Sequence, residues 1–198
     1  ESIFTNPDMQ NQFAQGSNGT YDSVSTTSWG PKINGQQVTD WSGKQVTLQP
    51  HDNIGNFFQN GVVSNQNISF QQQINSTSIY ASYNRFDDKS MIPGQKLSRN
   101  NLTARALTKF GNNGNWTLDT KFQFINATAN NRSIEGQDYS IFGTIDNLPR
   151  TLDIRNFKNP LDSSGNMFWW GRPSGGNINP YWSAKYNLNS DTRNQLGR

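Results

Sequence analysis

The clearest pattern in the chain is an alternation of apolar and polar residues in its middle third. Between residues 116 and 124 the apolar positions are Trp116, Leu118, Phe122 and Phe124. The intervening positions are polar and include Asp119, Lys121 and Gln123. A period of two places successive side chains on opposite faces of a strand, whereas a helix repeats every 3.6 residues. The pattern therefore predicts a β-strand with one apolar and one polar face.

The same alternation predicts three further strands upstream. The four predicted strands span residues 65–74, 78–87, 97–110 and 115–127. Short turns rich in Asn, Gly and Ser join the first pair and the last pair, because Asn and Gly accept the positive φ angles of tight turns. A longer connection, 87–96, joins the middle pair. Each strand has about the 9–11 residues that a tilted strand needs to cross a bilayer.

Connections that alternate between short and long are typical of transmembrane β-barrels. We therefore interpret the chain as all-β, a partial antiparallel barrel within which residues 1–198 belong to one domain. Residues 1–64 would form an external loop leading into a strand, 65–127 the four strands, and 128–198 a second long external loop with the start of the next strand. An ordinary antiparallel sheet with one solvated face fits the alternation about equally well.

Composition argues against a large private core. Only 31% of residues are hydrophobic, and charged residues account for only 16%. Much of the polarity therefore comes from uncharged side chains, among them 28 Asn and 16 Gln. Soluble domains have roughly 45–50% apolar residues, a tally that includes Gly. The 24 aromatic residues must then be buried locally or lie at an interface. We expect the sequence to be a piece of a larger protein.

The residue types offer little catalytic or metal chemistry. The chain has no cysteine, which excludes thiolate zinc sites and cysteine nucleophiles, and its one histidine, His51, lies in a Pro-His-Asp-Asn stretch typical of a turn. The aspartates show no spacing that favours a catalytic pair. Basic residues are scattered rather than clustered, which argues against a nucleic-acid footprint. We expect no enzyme activity, no cofactor, no metal site and no nucleic-acid partner.

Aromatic clusters in the region after residue 127 are the candidate contacts for a substrate or partner. They comprise Phe168, Trp169, Trp170, Tyr181 and Trp182, and Arg150 and Arg155 lie in the same region. Flat rings in an external loop stack on sugar faces or anchor a protein partner. The alternative is that these rings form the loop's own small core. The two arginines fit either acidic partner residues or local salt bridges.

Short motifs in a defined order cover nearly the whole chain. They are Gln15-Gly16-Ser17-Asn18-Gly19, Ser28-Trp29-Gly30-Pro31-Lys32 with Asn34-Gly35, Asp52-Asn53, Phe57-Phe58-Gln59-Asn60-Gly61, Asn67-Ile68-Ser69-Phe70, Ser82-Tyr83-Asn84 with Asp87, Ile92-Pro93-Gly94, Arg99-Asn100-Asn101-Leu102, Leu148-Pro149-Arg150 and Asn179-Pro180-Tyr181. This ordered set resembles the SusC/RagA family of TonB-dependent outer-membrane transporters. By that resemblance the chain holds early strands and extracellular loops of a barrel of about 22 strands, following an N-terminal plug.

The resemblance implies a function in the bacterial outer membrane. It implies import of oligosaccharides or peptides, with a SusD-like surface lipoprotein as partner, energy from TonB through a plug outside these residues, and paired transporter–lipoprotein complexes. Asp119, Lys121 and Gln123 would then face the lumen. Trp116, Leu118, Phe122 and Phe124 would face outer-membrane lipid. The alternative function is a secreted carbohydrate-binding β-sandwich with the aromatic clusters as its binding surface.

Overall fold

The computed structural model describes residues 9–133, 140–170 and 178–197. Strands account for 47% of the structure and helices for 15%, and every sheet is antiparallel. The prediction of a strand-dominated, antiparallel fold is confirmed at this level. The chain divides into two compact units: unit 1 comprises Glu1–Phe58 and Ile134–Tyr186, and unit 2 comprises Gln59–Ser133 and Asn187–Arg198.

Unit 1 is built from short elements. Its strands form two hairpins, β1 (Gly16–Ser17) with β2 (Thr20–Tyr21) and β3 (Gln37–Thr39) with β4 (Gln45–Thr47). Its helices are α1 (Asn53–Phe57), α2 (Ile141–Asn147) and α3 (Pro180–Tyr186), with a 3₁₀ turn at Ile154–Phe157. The sequence predicted only irregular loops here, because elements this short show no readable period.

Two glycines of the quoted motifs lie where a side chain does not fit. Gly16 has a φ of +123°, and a Cβ there would lie 1.9 Å from the backbone oxygen of Thr20. At Gly30 a Cβ would lie 2.2 Å from the backbone oxygen of Gln15. The two strands of the first hairpin therefore approach at backbone distance, as do Gly30 and Gln15, and only glycine permits this.

Each helix of unit 1 begins at a side-chain cap. The Asp52 carboxylate accepts from the Gly55 amide at 3.0 Å, and the Ser140 hydroxyl accepts from the Gly143 amide at 3.2 Å. The Asn179 carbonyl oxygen accepts from the amides of Tyr181 and Trp182 at the start of α3. Asp, Ser and Asn are preferred at this position because they satisfy amides that have no partner within the helix.

Unit 2 is one antiparallel sheet in which the strands follow chain order. Its strands are β5 (Val62–Ile74), β6 (Thr77–Lys89), β7 (Lys96–Phe110), β8 (Trp116–Ser133) and β9 (Leu188–Gly197). Each of the four strands predicted by alternation is present, and each extends beyond the predicted range at one end or both. The described strands form an open sheet and no closed barrel.

The turns between these strands contain the expected Asn and Gly residues. Asn75, with a φ of 51°, joins β5 to β6, and Gly111 and Asn113, with φ of +86° and 63°, join β7 to β8. A Cβ at Gly111 would lie 2.7 Å from Cδ1 of Trp116, so the turn and the first residue of β8 pack closely.

The connection between β6 and β7 is tied to its neighbours in unit 2. The Gln59 amide donates to the Met91 carbonyl at 2.9 Å, and the Asn131 side-chain amide donates to the Gly94 carbonyl at 2.7 Å. Asn131 lies within a bulge, between Ala129 and Arg132, where the register of β8 and β9 shifts. Among the described residues, no helix has the length and apolarity needed to cross a membrane.

Candidate functional site

The five-stranded sheet of unit 2 carries different chemistry on its two faces. Its register places Phe124 opposite Leu102, Phe122 opposite Ala104, and Trp116 opposite Phe110. The four residues predicted to face lipid therefore lie on one face of β8. Their exposed fractions are 66% for Trp116, 56% for Leu118, 42% for Phe122 and 37% for Phe124.

This apolar face continues across every strand of the sheet. The other large apolar residues on it are Ile68, Phe70 and Ile74 of β5, Ile79 and Tyr83 of β6, Leu102 and Phe110 of β7, and Leu196 of β9. All of these side chains are exposed. From Leu102 to Phe110 the band is about 26 Å long at the usual strand rise. Soluble monomers rarely expose a contiguous apolar surface of this extent.

The opposite face of the same strands is mainly polar. Asp119 of β8 forms an ion pair with Arg105 of β7, in which Arg105 Nε donates to Asp119 Oδ1 at 2.8 Å. The Gln123 side-chain amide donates to Asn101 Oδ1 at 3.4 Å. The three residues predicted to face a lumen, Asp119, Lys121 and Gln123, therefore lie on this face. Each carries a charge or a hydrogen-bonding group.

A cavity of about 450 Å³ lies on the polar face. It is lined by side chains from four adjacent strands: Gln71, Ser78, Tyr80, Thr103, Arg105, Leu107 and Lys121. In the register, Gln71, Tyr80, Arg105 and Lys121 form a single row across β5 to β8. The wall combines hydrogen-bonding groups and cations with one aromatic and one aliphatic side chain.

The aromatic clusters of the predicted partner surface lie in unit 1, where two of their tryptophans are part of its core. Trp169 is 6% exposed and Trp170 2%. The centre of the core is Phe157, whose ring lies 4.6 Å from Trp169 and 5.4 Å from Trp41, centroid to centroid. Burial of these two tryptophans favours the alternative in which the loop builds its own core.

The remaining aromatic residues of that set are half-buried at the margin of the same core. Phe168 packs against Trp41 at 5.5 Å, and Tyr181 packs against Phe57 at 4.8 Å. Trp182 lies 5.8 Å from Tyr186 within α3. These three side chains keep part of their surface exposed, so they are the members of the set that remain accessible to a partner.

Asn179 is the polar centre around which these rings are arranged. It is fully buried, and its side-chain amide donates to the carbonyls of Phe157 at 3.0 Å and Phe168 at 2.9 Å. Its carbonyl oxygen caps α3, as described above. One side chain thereby joins the 3₁₀ turn, the Phe168 segment and the helix. The signal in the sequence was the Asn-Pro-Tyr motif, whose Asn we did not predict to be buried.

The two arginines of the predicted partner surface each contact another residue of unit 1. Arg155 forms an ion pair with Asp153 at 2.7 Å, and Arg150 Nη1 lies 3.4 Å from the Met9 sulfur. His51 Nδ1 lies 3.7 Å from Asp153 Oδ2, and the His51 amide donates to the Arg150 carbonyl at 2.7 Å. For Arg155 the local salt bridge is the arrangement that the structure contains.

Burial and neighbouring charges shift the pKa values of this group. Burial lowers the pKa of His51, and the cations Arg155 and Arg150 act in the same direction against the attraction of Asp153. Burial alone would raise the pKa of Asp153, but hydrogen bonds from Arg155 outweigh it and lower the pKa. The arrangement therefore keeps a neutral imidazole beside an ionised carboxylate.

Trp29 is a strongly exposed aromatic residue that was not among the predicted contacts. Trp29 is 67% exposed and lies 6.2 Å from the Phe13 ring, centroid to centroid, in unit 1. It belongs to the Ser-Trp-Gly-Pro-Lys motif, but no sequence pattern here distinguishes an exposed tryptophan from a buried one.

Within the described ranges, no three His, Asp or Glu side chains come together as a metal site. Comparison of the chain with protein-family models and with curated proteins found no match. The two-faced sheet and the ordered motifs are therefore the features of the chain that bear on its function.

Proposed function

We propose that the chain forms part of the wall of a transmembrane β-barrel in the bacterial outer membrane. The observation that carries this proposal is the apolar band on one face of the sheet, which is exposed on all five strands while the opposite face is mainly polar and charged. A barrel wall needs this division, because its outer face meets lipid and its inner face lines a polar lumen.

Physical chemistry supports a lipid environment for this face. Burial of apolar surface is worth roughly 25 cal/mol per Å². Twelve large apolar side chains left in water would therefore favour aggregation. Among the described residues, the outer strands β5 and β9 also present unpaired backbone groups along one edge each. Closure with further strands would pair those edges, as a bilayer interior requires.

The function that we propose for such a barrel is TonB-dependent import of oligosaccharides or peptides. This step depends on the resemblance to the SusC/RagA family, in which a SusD-like surface lipoprotein is the partner and complexes are paired. Several of the motifs that carry the resemblance are joined to distant segments of unit 1 by hydrogen bonds. Asn53 Oδ1 accepts from the Ile154 amide at 3.0 Å, the His51 amide donates to Arg150, and Asn179 joins three segments.

A carbohydrate-binding β-sandwich is the less supported alternative. A sandwich buries the apolar face of one sheet against a second sheet about 10 Å away. In the described residues of unit 2 the five strands make a single sheet, and the apolar side chains on it are exposed.

The location and folded state of the native polypeptide that contains this sequence test the proposal. Membrane and soluble fractions of the source cells are probed with an antibody against residues 9–58, and outer membranes are run with and without boiling. We expect a detergent-extracted outer-membrane band that changes its electrophoretic mobility on boiling, as folded barrels do. A polypeptide found only in the soluble fraction, as a folded monomer, would contradict the proposal.

A further inference from the structure

We propose that the cavity on the polar face is a binding subsite for an acidic sugar, with Lys121 as the group that receives its carboxylate. This inference rests on the proposed import function and deepens it by naming a class of substrate. It is carried by the charges around the cavity, by its lining and by its place on the sheet.

The first observation is a pair of like charges that lie opposite each other on neighbouring strands. The register places Arg105 of β7 directly opposite Lys121 of β8. Like charges in this relation destabilise a sheet. The one carboxylate beside them, Asp119, is engaged by Arg105 through both its Nε and Nη2 atoms. In the part of the chain that the structure describes, no carboxylate lies within 4.0 Å of Lys121 Nζ.

The cavity therefore contains more positive charge than its own residues balance. A bound carboxylate would relieve the repulsion between Arg105 and Lys121 and accept a charge-assisted hydrogen bond from Lys121, a stronger interaction than one between neutral groups. The cavity volume, about 450 Å³, lies in the usual range for small-molecule sites.

The rest of the lining suits a saccharide better than a peptide. Gln71, Ser78 and Thr103 offer an amide and two hydroxyls, each able to donate and accept, which matches the hydroxyl groups of a sugar. The Tyr80 ring gives a flat apolar surface. Extended peptides are commonly held through backbone hydrogen bonds at a sheet edge. The cavity instead spans strands β5 to β8, whose backbones between these positions pair with each other.

The test is binding to the native polypeptide, purified in detergent from outer membranes, measured by calorimetry. The probes are a tetramer of galacturonic acid, the neutral tetramer maltotetraose, and an acidic tetrapeptide. The variant is Lys121→Gln, which removes the charge and keeps a polar chain. The matched control is Lys109→Gln. Lys109 lies in β7 on the same face of the sheet as Lys121, but outside the cavity lining.

We expect the wild type to bind the galacturonic acid tetramer more tightly than maltotetraose, with an affinity that falls as salt is added. Lys121→Gln should weaken that binding about tenfold, equivalent to about 1.4 kcal/mol, because it removes a charge-assisted hydrogen bond. Lys109→Gln should leave it within about twofold.

Equal affinity of the wild type for the acidic and neutral tetramers would overturn the inference, as would equal losses in the two variants. Tighter binding of the acidic peptide than of the acidic saccharide would overturn the assignment to a sugar. Retention of the mobility change on boiling shows separately that the barrel is assembled. Failure of the acidic-sugar subsite is thereby distinguished from failure of the proposed function.

Discussion

Buried amide side chains hold the core of unit 1 together at the scale of single residues. Gln15, Asn53 and Asn179 are each almost completely buried. Gln15 donates to the carbonyls of Ser23 and Ser25 and accepts from Thr151, a residue 136 positions away. An unsatisfied buried polar group costs about 1–3 kcal/mol, so amides with several partners fix the segments that they join.

Replacement of Asn179 by alanine should destabilise helix α3 and the residues next to it. The change leaves the carbonyls of Phe157 and Phe168 without their donor and removes the cap of α3. We expect a loss of roughly 2 kcal/mol or more of local stability, equivalent to about 30-fold faster amide exchange in residues 178–186. Hydrogen–deuterium exchange with mass spectrometry measures this. Asn156→Ala is the control, since its side chain is exposed; equal exchange in the two variants would contradict the role of Asn179.

Acidification should weaken unit 1 through His51. The pKa of His51 is lowered below its ordinary value of 6.5 in the folded chain. As the pH falls through about 6.5, His51 of the unfolded chain binds a proton more readily than His51 of the folded chain. The free energy of unfolding therefore decreases until the pH lies below the lowered pKa. The lowered pKa of Asp153 has its effect only below its ordinary value of 3.8, outside this range.

Comparison of wild type with His51→Gln separates this effect from other pH dependence. Exchange protection in residues 140–157 is measured in both proteins at about pH 7 and pH 5. The wild type should lose more protection than the variant between the two conditions. The same loss in both proteins would exclude His51 as the cause. This is a clean test because the sequence contains one histidine.

Residue-level roles in unit 1 were the part that the sequence could not predict. The composition indicates many hydrogen-bonding amides, but burial of Asn179 depends on carbonyls of Phe157 and Phe168 that only the fold brings near. The same limit applies to Trp170 and Trp29. Both are tryptophans beside glycines in polar stretches, yet one is buried and the other exposed.

At the scale of elements, the face of β8 that a side chain occupies should decide whether a new charge is tolerated. Phe122→Arg places a cation on the apolar band, whereas Gln123→Arg places the same side chain one residue away on the polar face. Arginine on the lipid face near mid-bilayer costs about 2–4 kcal/mol. We expect Phe122→Arg to reduce the fraction of polypeptide that changes mobility on boiling, and Gln123→Arg to leave it near the wild-type value. A larger loss for Gln123→Arg would reverse the assignment of the two faces.

The strands were predictable because their pattern is long and strict. Strands β5 to β8 have 13 to 18 residues each, so a period of two repeats several times. Strand β9 is different, since between Leu188 and Leu196 its residues are all polar. Its place is set by pairing with β8 rather than by its own alternation. The helices of unit 1 have five to seven residues, less than two full turns.

At the scale of the whole molecule, equal exposure does not imply equal surroundings. Trp116 and Trp29 are 66% and 67% exposed, but Trp116 lies at the end of the apolar band of unit 2 and Trp29 lies in unit 1. In vesicles with brominated acyl chains, Trp116→Phe should remove a quenchable part of the tryptophan fluorescence. Trp29→Phe should remove fluorescence that the bromines do not quench. Equal quenching of both contributions would contradict a lipid-facing sheet.

Unit 1 also determines the order in which the chain can fold. Its two segments lie on either side of strands β5 to β8 in the sequence, and the hydrogen bond from Ile154 to Asn53 spans 101 residues. Contacts this distant in sequence form late, after the loop between them is closed. A nascent chain that emerges from its N-terminus therefore exposes residues 9–58 before their partners exist. During that interval the first hairpins need a chaperone, or their own solubility, to stay available for the segment that completes them.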